Sequence, residues 1–487
     1  MDRRTFLTAS IASTTLLTAQ QHTTAQTKAS SPISTLGSPV GRIPTRSSSD
    51  ITASSLSVGF ETLDRHGFSP KKTYPYLAKL GVKWARCQTG WGRCETKRGQ
   101  YNFSWLDEAV DALLAIGIQP WFNLGYGNRL YIPGATNEAA VGWTPVFDEA
   151  AMLAWLRYTT ALTQHFSGRV KHYEIWNEPN HPGFWRPRIP KSSDYIKLVA
   201  RTAPAIRTIL PDAIIIGGVC AGLPLDFITH CFRDGLQEYI DVLSFHPYRE
   251  RPEKKYSDEI ARLHRLLAKY NTTCALWQGE NGCPSVGGPG SDSAGALSDI
   301  VWDETRQAKW LLRRVLTDLK HELAMTSYFH TVDLVGYRGS TNYKGLLRAK
   351  DYTPKPAYFA YQHLCGLFDA DTSVTENFSP LECTPVYSGS KNMDFEVQQV
   401  SFARKGKLLY GCWYPSDLQN PWTEGTVTLH IKVSDNARLS DPILLDPLSG
   451  DIFELNNVQI SRDTVTVNAL PLRDYPLLLS DRSLLDI

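Results

Sequence analysis

The sequence predicts a (β/α)₈ barrel followed by an all-β sandwich, and three observations lead there. Between about Ser57 and Phe368, eight short apolar runs alternate with longer stretches of helical periodicity, the signature of a parallel sheet covered by helices. After about Asp369 the pattern changes to strand-like runs separated by Gly, Pro, Asn and Asp. The length of 487 residues exceeds one ordinary domain and leaves room for both.

The candidate barrel strands are Ser57 to Phe60, Val82 to Cys87, Gln119 to Leu124, His172 to Trp176, Ala213 to Gly217, Val242 to Phe245, Cys274 to Gln278 and Thr326 to Phe329. Helical spacing is clearest where Leu106, Ala109, Val110, Leu113 and Leu114 recur before the Gly117 stop. Met152 to Phe166, Asp194 to Leu210, Ile260 to Tyr270 and Gln307 to Leu319 each precede a strand, and Ala357 to Leu367 closes the ring. Eight such units favour a closed barrel with long loops over a doubly wound open sheet. Beyond them, Leu408 to Trp413, Thr426 to Ile431 and Thr464 to Val467 read as sandwich strands, in a domain that either stabilises the barrel or binds carbohydrate.

Asp2-Arg3-Arg4-Thr5-Phe6-Leu7 opens an apolar, small-residue stretch through Ala19, too short to span a membrane in the mature chain. It resembles a twin-arginine export signal, with an ordinary secretory signal as the second reading because Asp2 and Thr8 depart from that pattern. The expected organisation is therefore an export segment over 1–25, a polar linker over 26–50, the barrel over 51–370 and the sandwich over 371–487, with a periplasmic or extracellular destination.

A net charge of +2 without a long basic run gives no electrostatic footprint for nucleic acid. The excess of aromatic residues, 13 Trp and 22 Tyr, suits sugar binding, because ring faces pack on C–H faces while polar tips hydrogen-bond. Nine cysteines form no metal-ligand pattern, and no cofactor or metal is expected. Cys87 with Cys94 and Cys274 with Cys283 are the nearest pairs; bridges and buried free thiols both stay open. No G-x-S-x-G elbow follows a strand and no H-E-x-x-H is present, which sets aside serine and zinc hydrolases.

Catalytic groups of such barrels lie at the C-terminal ends of strands. The fourth run ends Tyr173-Glu174-Ile175-Trp176-Asn177-Glu178-Pro179-Asn180, and the seventh ends Leu276-Trp277-Gln278-Gly279-Glu280-Asn281. A lone Glu there is more often a loop residue or a helix cap; a pair at strands four and seven meets the need of glycoside hydrolysis for one protonated and one ionised carboxyl.

In these motifs the chain resembles the clan of (β/α)₈ retaining glycosidases with an Asn-Glu-Pro acid/base after strand four and a nucleophile after strand seven, nearest to family 39, the β-xylosidase and iduronidase family. The resemblance implies Glu178 as acid/base, Glu280 as nucleophile and Asn177 as partner of the hydroxyl next to the anomeric carbon. It further implies that Arg86, ending strand two, supports the nucleophile, and that His246 and Tyr248, in Ser244-Phe245-His246-Pro247-Tyr248, flank the site. Gly345-Leu346-Leu347 and Pro354-Lys355-Pro356-Ala357-Tyr358 match the clan's run into its last helix. Where many relatives place Trp at the end of strand eight, this chain reads Tyr328-Phe329-His330. Trp91, Tyr126, Trp185 and Trp302 are candidate sugar platforms, with core packing as the equal alternative. The expected partner is a carbohydrate, and a catalytically silent carbohydrate-binding barrel is the competing function.

Overall fold

Strands of a closed parallel barrel are buried on both faces, which is why their sequences read as unbroken apolar runs. In the computed structural model, which describes residues 36–375, 381–383, 396–422 and 425–485, eight such strands close a barrel. They are β1 (Leu56–Gly59), β2 (Trp84–Gln88), β3 (Gln119–Leu124), β4 (His172–Ile175), β5 (Ile214–Ala221), β6 (Val242–His246), β7 (Ala275–Asn281) and β8 (Met325–Tyr328). All eight overlap the expected runs, and closure comes from β1 pairing parallel to β8, Ser57 opposite Ser327.

One principal helix follows each strand: α1 (Tyr74–Leu80), α2 (Ser104–Ala115), α3 (Glu149–Phe166), α4 (Ser192–Ile209), α5 (Leu225–Arg233), α6 (Tyr256–Lys269), α7 (Glu304–Lys320) and α8 (Pro356–Leu367). Helices α1 and α5 were not anticipated; they have 7 and 9 residues, too few for a long apolar repeat. Asp148 and Asp303 cap α3 and α7, each accepting a backbone N–H at 2.8 Å.

The N-terminal end of the barrel is plugged. Trp121, Trp277, Ile216, Val242 and Met325 form their own buried cluster there, with Trp121 edge-on to Trp277 at 5.3 Å and Trp84 packed beside them. Only the C-terminal end is left to hold a cleft. A register shift in β7 between Gln278 and Asn281 places Gly279 and Glu280 at a bulge on the rim, a device that re-aims a side chain.

From Thr372 onward the strands are antiparallel and form two sheets, of seven and four strands. The seven-stranded sheet includes Gly41–Arg42, paired with Ile452 and Asp451. Residues 36–50 are thus not linker but part of the folded unit: Ile43 is buried, and Ser48 Oγ donates to Leu77 O at 3.0 Å. Polar composition hid this, because a strand recruits backbone groups rather than side chains. The export segment and the first part of the linker lie outside the described residues.

Cys87, Cys94, Cys274 and Cys283 are buried free thiols, so neither Cys87 and Cys94 nor Cys274 and Cys283 form a bridge. No helix among the described residues is long and apolar enough to cross a membrane.

Buried ion pairs on α7 lock the barrel to the antiparallel sheets. Arg313 donates to both oxygens of Glu253 at 2.7 Å and to Ser416 O at 2.7 Å, while Trp413 Nε1 donates to Glu253 at 2.6 Å. Lys309 Nζ meets Asp474 at 2.9 Å. Burial pushes the Glu253 carboxyl up, and the charge and hydrogen bonds of Arg313 more than reverse this, so its pKa lies below the ordinary value. The pair therefore stabilises the fold above the ordinary glutamate range and loses that contribution as the pH falls through the depressed value. Arg313→Met strands Glu253 in the interface and should cost about 3–5 kcal/mol in chemical denaturation at neutral pH.

Candidate active site

Where strands end at the open rim, backbone and side chains are held by few neighbours unless polar contacts fix them. Here Arg86, at the end of β2 and 1% exposed, does this. Its guanidinium donates to Glu174 Oε2 (2.8 Å), Glu61 Oε1 (3.1 Å), Glu280 Oε2 (2.5 Å) and Asn177 Oδ1 (2.8 Å). Glu174 is further held by Asn123 Nδ2 at 2.9 Å and Ser244 Oγ at 3.2 Å. One cation thus spans residues from β1, β2, β4 and β7.

Glu280 accepts a second bond from the Tyr248 hydroxyl at 2.8 Å. Burial alone would raise its pKa; His246, Arg86 and the Tyr248 hydrogen bond oppose this and bring it below the ordinary glutamate value, so Glu280 is ionised. Burial, together with the neighbouring Glu280 charge, keeps the Tyr248 hydroxyl protonated as a donor.

Glu178 has a different surrounding. Its Oε1 lies 3.1 Å from His246 Nδ1, and its backbone N–H donates to Val219 O at 2.8 Å. Trp176 and Glu178 sit at φ of 75° and 48°, the left-handed region that side chains seldom adopt, so the turn after β4 is strained where Glu178 is presented. One oxygen of Glu178, one of Glu280 and a His246 ring nitrogen lie within 4.8 Å of one another. This is the single such clustered set among the described residues, and a metal drawn into it would compete with Arg86 and Tyr248 for Glu280.

The cleft has two lobes. The larger, about 600 Å³, is lined by the β1 loop from Glu61 to Gly67, with Arg86, Asn177 and Tyr126. The smaller, about 280 Å³, includes Glu178, His246, Tyr248 and Lys344. Phe184, Glu280, Phe329, Tyr337 and Arg338 border both.

Of the residues expected from sequence, Arg86, Asn177, Glu178, His246, Tyr248 and Glu280 are brought together at the rim. Tyr126 joins them as a cleft wall, stacked on Phe184 at 5.7 Å. The three tryptophans are corrected. Trp91 stacks between Tyr131 (5.5 Å) and Tyr158 (5.8 Å) with Nε1 donating to Glu95, Trp185 packs edge-on against Trp176 and Tyr195, and Trp302 Nε1 donates to Leu297 O. All three are core residues beneath their loops, where large apolar area is better buried than offered to solvent.

Sequence reasoning missed the β1 loop, the hairpin Leu334–Tyr337 with Ser340–Asn342, and the acids Glu61 and Glu174. A signal existed for the last two: Glu61 follows the first apolar run, and Glu174 stands inside the fourth. Glu61 folds back over its own strand, its Oε2 only 2.4 Å from where a Cβ on Gly59 would stand, so glycine is required there. Burial is the main cause that raises the Glu61 pKa to about 7, with Arg86 lowering it and the Glu280 charge raising it further.

A model of glycosyl hydrolases family 39 matches residues 81–276. The chain is 29% identical over 199 residues to a beta-xylosidase of Geobacillus stearothermophilus, a match covering 36% of this chain and 38% of the relative's length. Among solved structures, it resembles a family 39 glycoside hydrolase from the gut symbiont Bacteroides cellulosilyticus WH2 (TM-score 0.63, 19% identity, 88% of this chain and 81% of that one). It also resembles a monomeric beta-xylosidase from Caulobacter crescentus CB15 (TM-score 0.58, 17% identity, 90% and 97%). At such identities these structures establish the fold: the barrel and its β-sandwich are shared.

Glu61→Gln tests the proton placement directly. A carboxyl whose folded pKa is raised from 4.5 to about 7 leaves the fold's stability intact below 4.5 and lowers it as the pH rises through 7. Gln keeps the acceptor for Arg86 without the titration. The variant should match wild type near pH 4.5 and exceed it by about 1–3 kcal/mol at pH 8 in urea denaturation; parallel pH profiles would contradict a proton on Glu61.

Proposed function

We propose that this family 39-like barrel is a retaining glycoside hydrolase acting on β-xyloside-type substrates, with Glu178 as acid/base and Glu280 as nucleophile. The observation that carries the reading is the carboxyl pair across one cleft. One oxygen of each lies within 4.8 Å of one of the other, a closeness that favours double displacement over the roughly 6.5–9.5 Å separation that leaves room for an inverting water.

Environment separates the two roles. Glu280, held ionised by Arg86 and Tyr248, attacks the anomeric carbon as Glu178 gives its proton to the glycosidic oxygen, and the leaving sugar departs as an alcohol. Glu178, now a carboxylate beside His246 Nδ1, removes a proton from water, which attacks the glycosyl-enzyme and frees Glu280. Asn177 has its Oδ1 occupied by Arg86, leaving its Nδ2 donors for the hydroxyl next to the reacting carbon, where a hydrogen bond strengthens as charge develops. The xyloside preference draws on the beta-xylosidase relative, and export on the Arg3-Arg4 opening. The silent carbohydrate-binding barrel is the reading that a turnover assay discriminates.

With 4-nitrophenyl β-D-xyloside in an aryl glycoside screen, NMR of the first-formed sugar should show retained β configuration; inversion would remove Glu280 as nucleophile. Because Glu280 lies below the ordinary glutamate value, the acid limb of the pH profile should fall below 4.5. Glu178→Ala should slow substrates with poor leaving groups by about 10²- to 10⁴-fold while sparing activated ones. Azide should then rescue that variant and yield a β-glycosyl azide, whereas Glu280→Ala should lose turnover of both substrate types. Rescue of Glu280→Ala alone, with inverted azide, would reassign Glu178.

A further inference from the structure

The two lobes of the cleft offer a ligand different chemistry. Glu280 borders both, but Glu178 borders only the smaller one. An acid must reach the oxygen of the departing group, so the smaller lobe is the one placed to receive the leaving group.

Its wall holds an unusual cation. Lys344 is 1% exposed, yet among the described residues its ammonium has no hydrogen bond and no ion pair; the Tyr248 ring centroid lies 5.7 Å from Nζ, and the Cys283 thiol and the Glu280 carboxylate act on it only through space. Two other buried lysines show what this fold normally does: Lys309 pairs with Asp474 at 2.9 Å and Lys355 with Asp333 at 2.6 Å. A buried ammonium without an anion is costly, and a ligand that supplies the anion recovers that cost. Burial lowers the Lys344 pKa to about 8, which still leaves it mostly charged at neutral pH.

A second donor stands beside it. Asn342 accepts the Lys344 backbone N–H through Oδ1 at 3.3 Å, and its Nδ2 has no hydrogen bond among the described residues. Gly295, at φ 96°, faces both groups: a Cβ there would lie 2.9 Å from Asn342 Nδ2 and 2.9 Å from Lys344 Nζ. Glycine keeps open the space in front of two unengaged donors.

We propose that Lys344 and Asn342 form a subsite for an anionic group, a carboxylate or an ester sulfate, carried by the leaving group of the substrate. The assignment of the lobe rests on the glycosidase reading above.

The test is calorimetry at low salt with phenyl 1-thio-β-D-xyloside and its 3-carboxy and 3-sulfo derivatives, whose sulfur link resists hydrolysis. At least one charged derivative should bind about tenfold more tightly than the parent, as a charge-assisted hydrogen bond allows. A larger gain for carboxylate points to a uronic acid leaving group, and one for sulfonate to a sulfated sugar. Lys344→Met should bring the three ligands to one affinity, and Lys344→Gln provides the same test should the first variant fold poorly. Equal affinities in the wild type, no binding of either charged ligand, or a preference that survives in both variants would overturn the subsite. Hydrolysis of the oxygen-linked aryl glycosides is read separately: an anion preference without any turnover would remove the glycosidase reading and leave the subsite standing.

Discussion

Three carboxylates, two of them buried and the third half-buried, share one guanidinium at the mouth of this barrel, and most of the site's properties follow from that imbalance. Arg86 bonds Glu61, Glu174 and Glu280, and one positive charge cannot neutralise all three. The electrostatic debt settles unevenly: Glu280, with Tyr248 and His246 as further support, keeps its negative charge, while Glu61 holds a proton near neutrality. Burial makes this possible, because in a medium less polarisable than water each additional charge raises the cost of the next. The same bonds set geometry, since Arg's rigid fork fixes the relative positions of strand ends that the barrel ladder alone would hold only loosely.

The scaffold concentrates its freedom at that rim. Tryptophans fill the opposite end, regular pairing continues to the last residues of most strands, and the departures from regularity, a shift at Gly218–Cys220 in β5 among them, gather around the two central glutamates, Val219 of that shift accepting the Glu178 backbone N–H. The bulge in β7 and the left-handed residues after β4 belong to those same two positions. Strain of this kind persists only when surrounding contacts over-determine it, and the bonds from the Glu178 N–H to Val219 O and from Arg86 and Tyr248 to Glu280 supply the constraint.

The barrel was legible in the sequence because strands buried on two faces leave runs that no other element produces, eight times over. The rim residues were legible because chemistry-bearing side chains stood where those runs stop. Reading failed where the signal is three-dimensional. Whether Trp91, Trp185 and Trp302 face a cleft or a core depends on how a loop folds over a helix, and nothing in local spacing encodes it. Glu174 went unremarked inside an apolar run, although a charge in a doubly buried strand needs a partner such as Arg86. The hairpin that walls the cleft has alternation too short to distinguish from irregular loop, and Gly41–Arg42 contributes backbone pairing that composition cannot register.

That two-residue strand has a consequence for how the molecule assembles. Gly41 lies opposite Ile452, so the seam closes a loop of about 400 residues and belongs to the most non-local contacts of the chain, whose closure costs the most chain entropy. Until it forms, the strand Asp451–Glu454 is the outer edge of its sheet with unmet backbone groups, a template for pairing with another chain. The start of the fold thus serves as an edge guard for its end, and a chain trimmed a few residues too far would keep its cleft yet gain a surface prone to self-association.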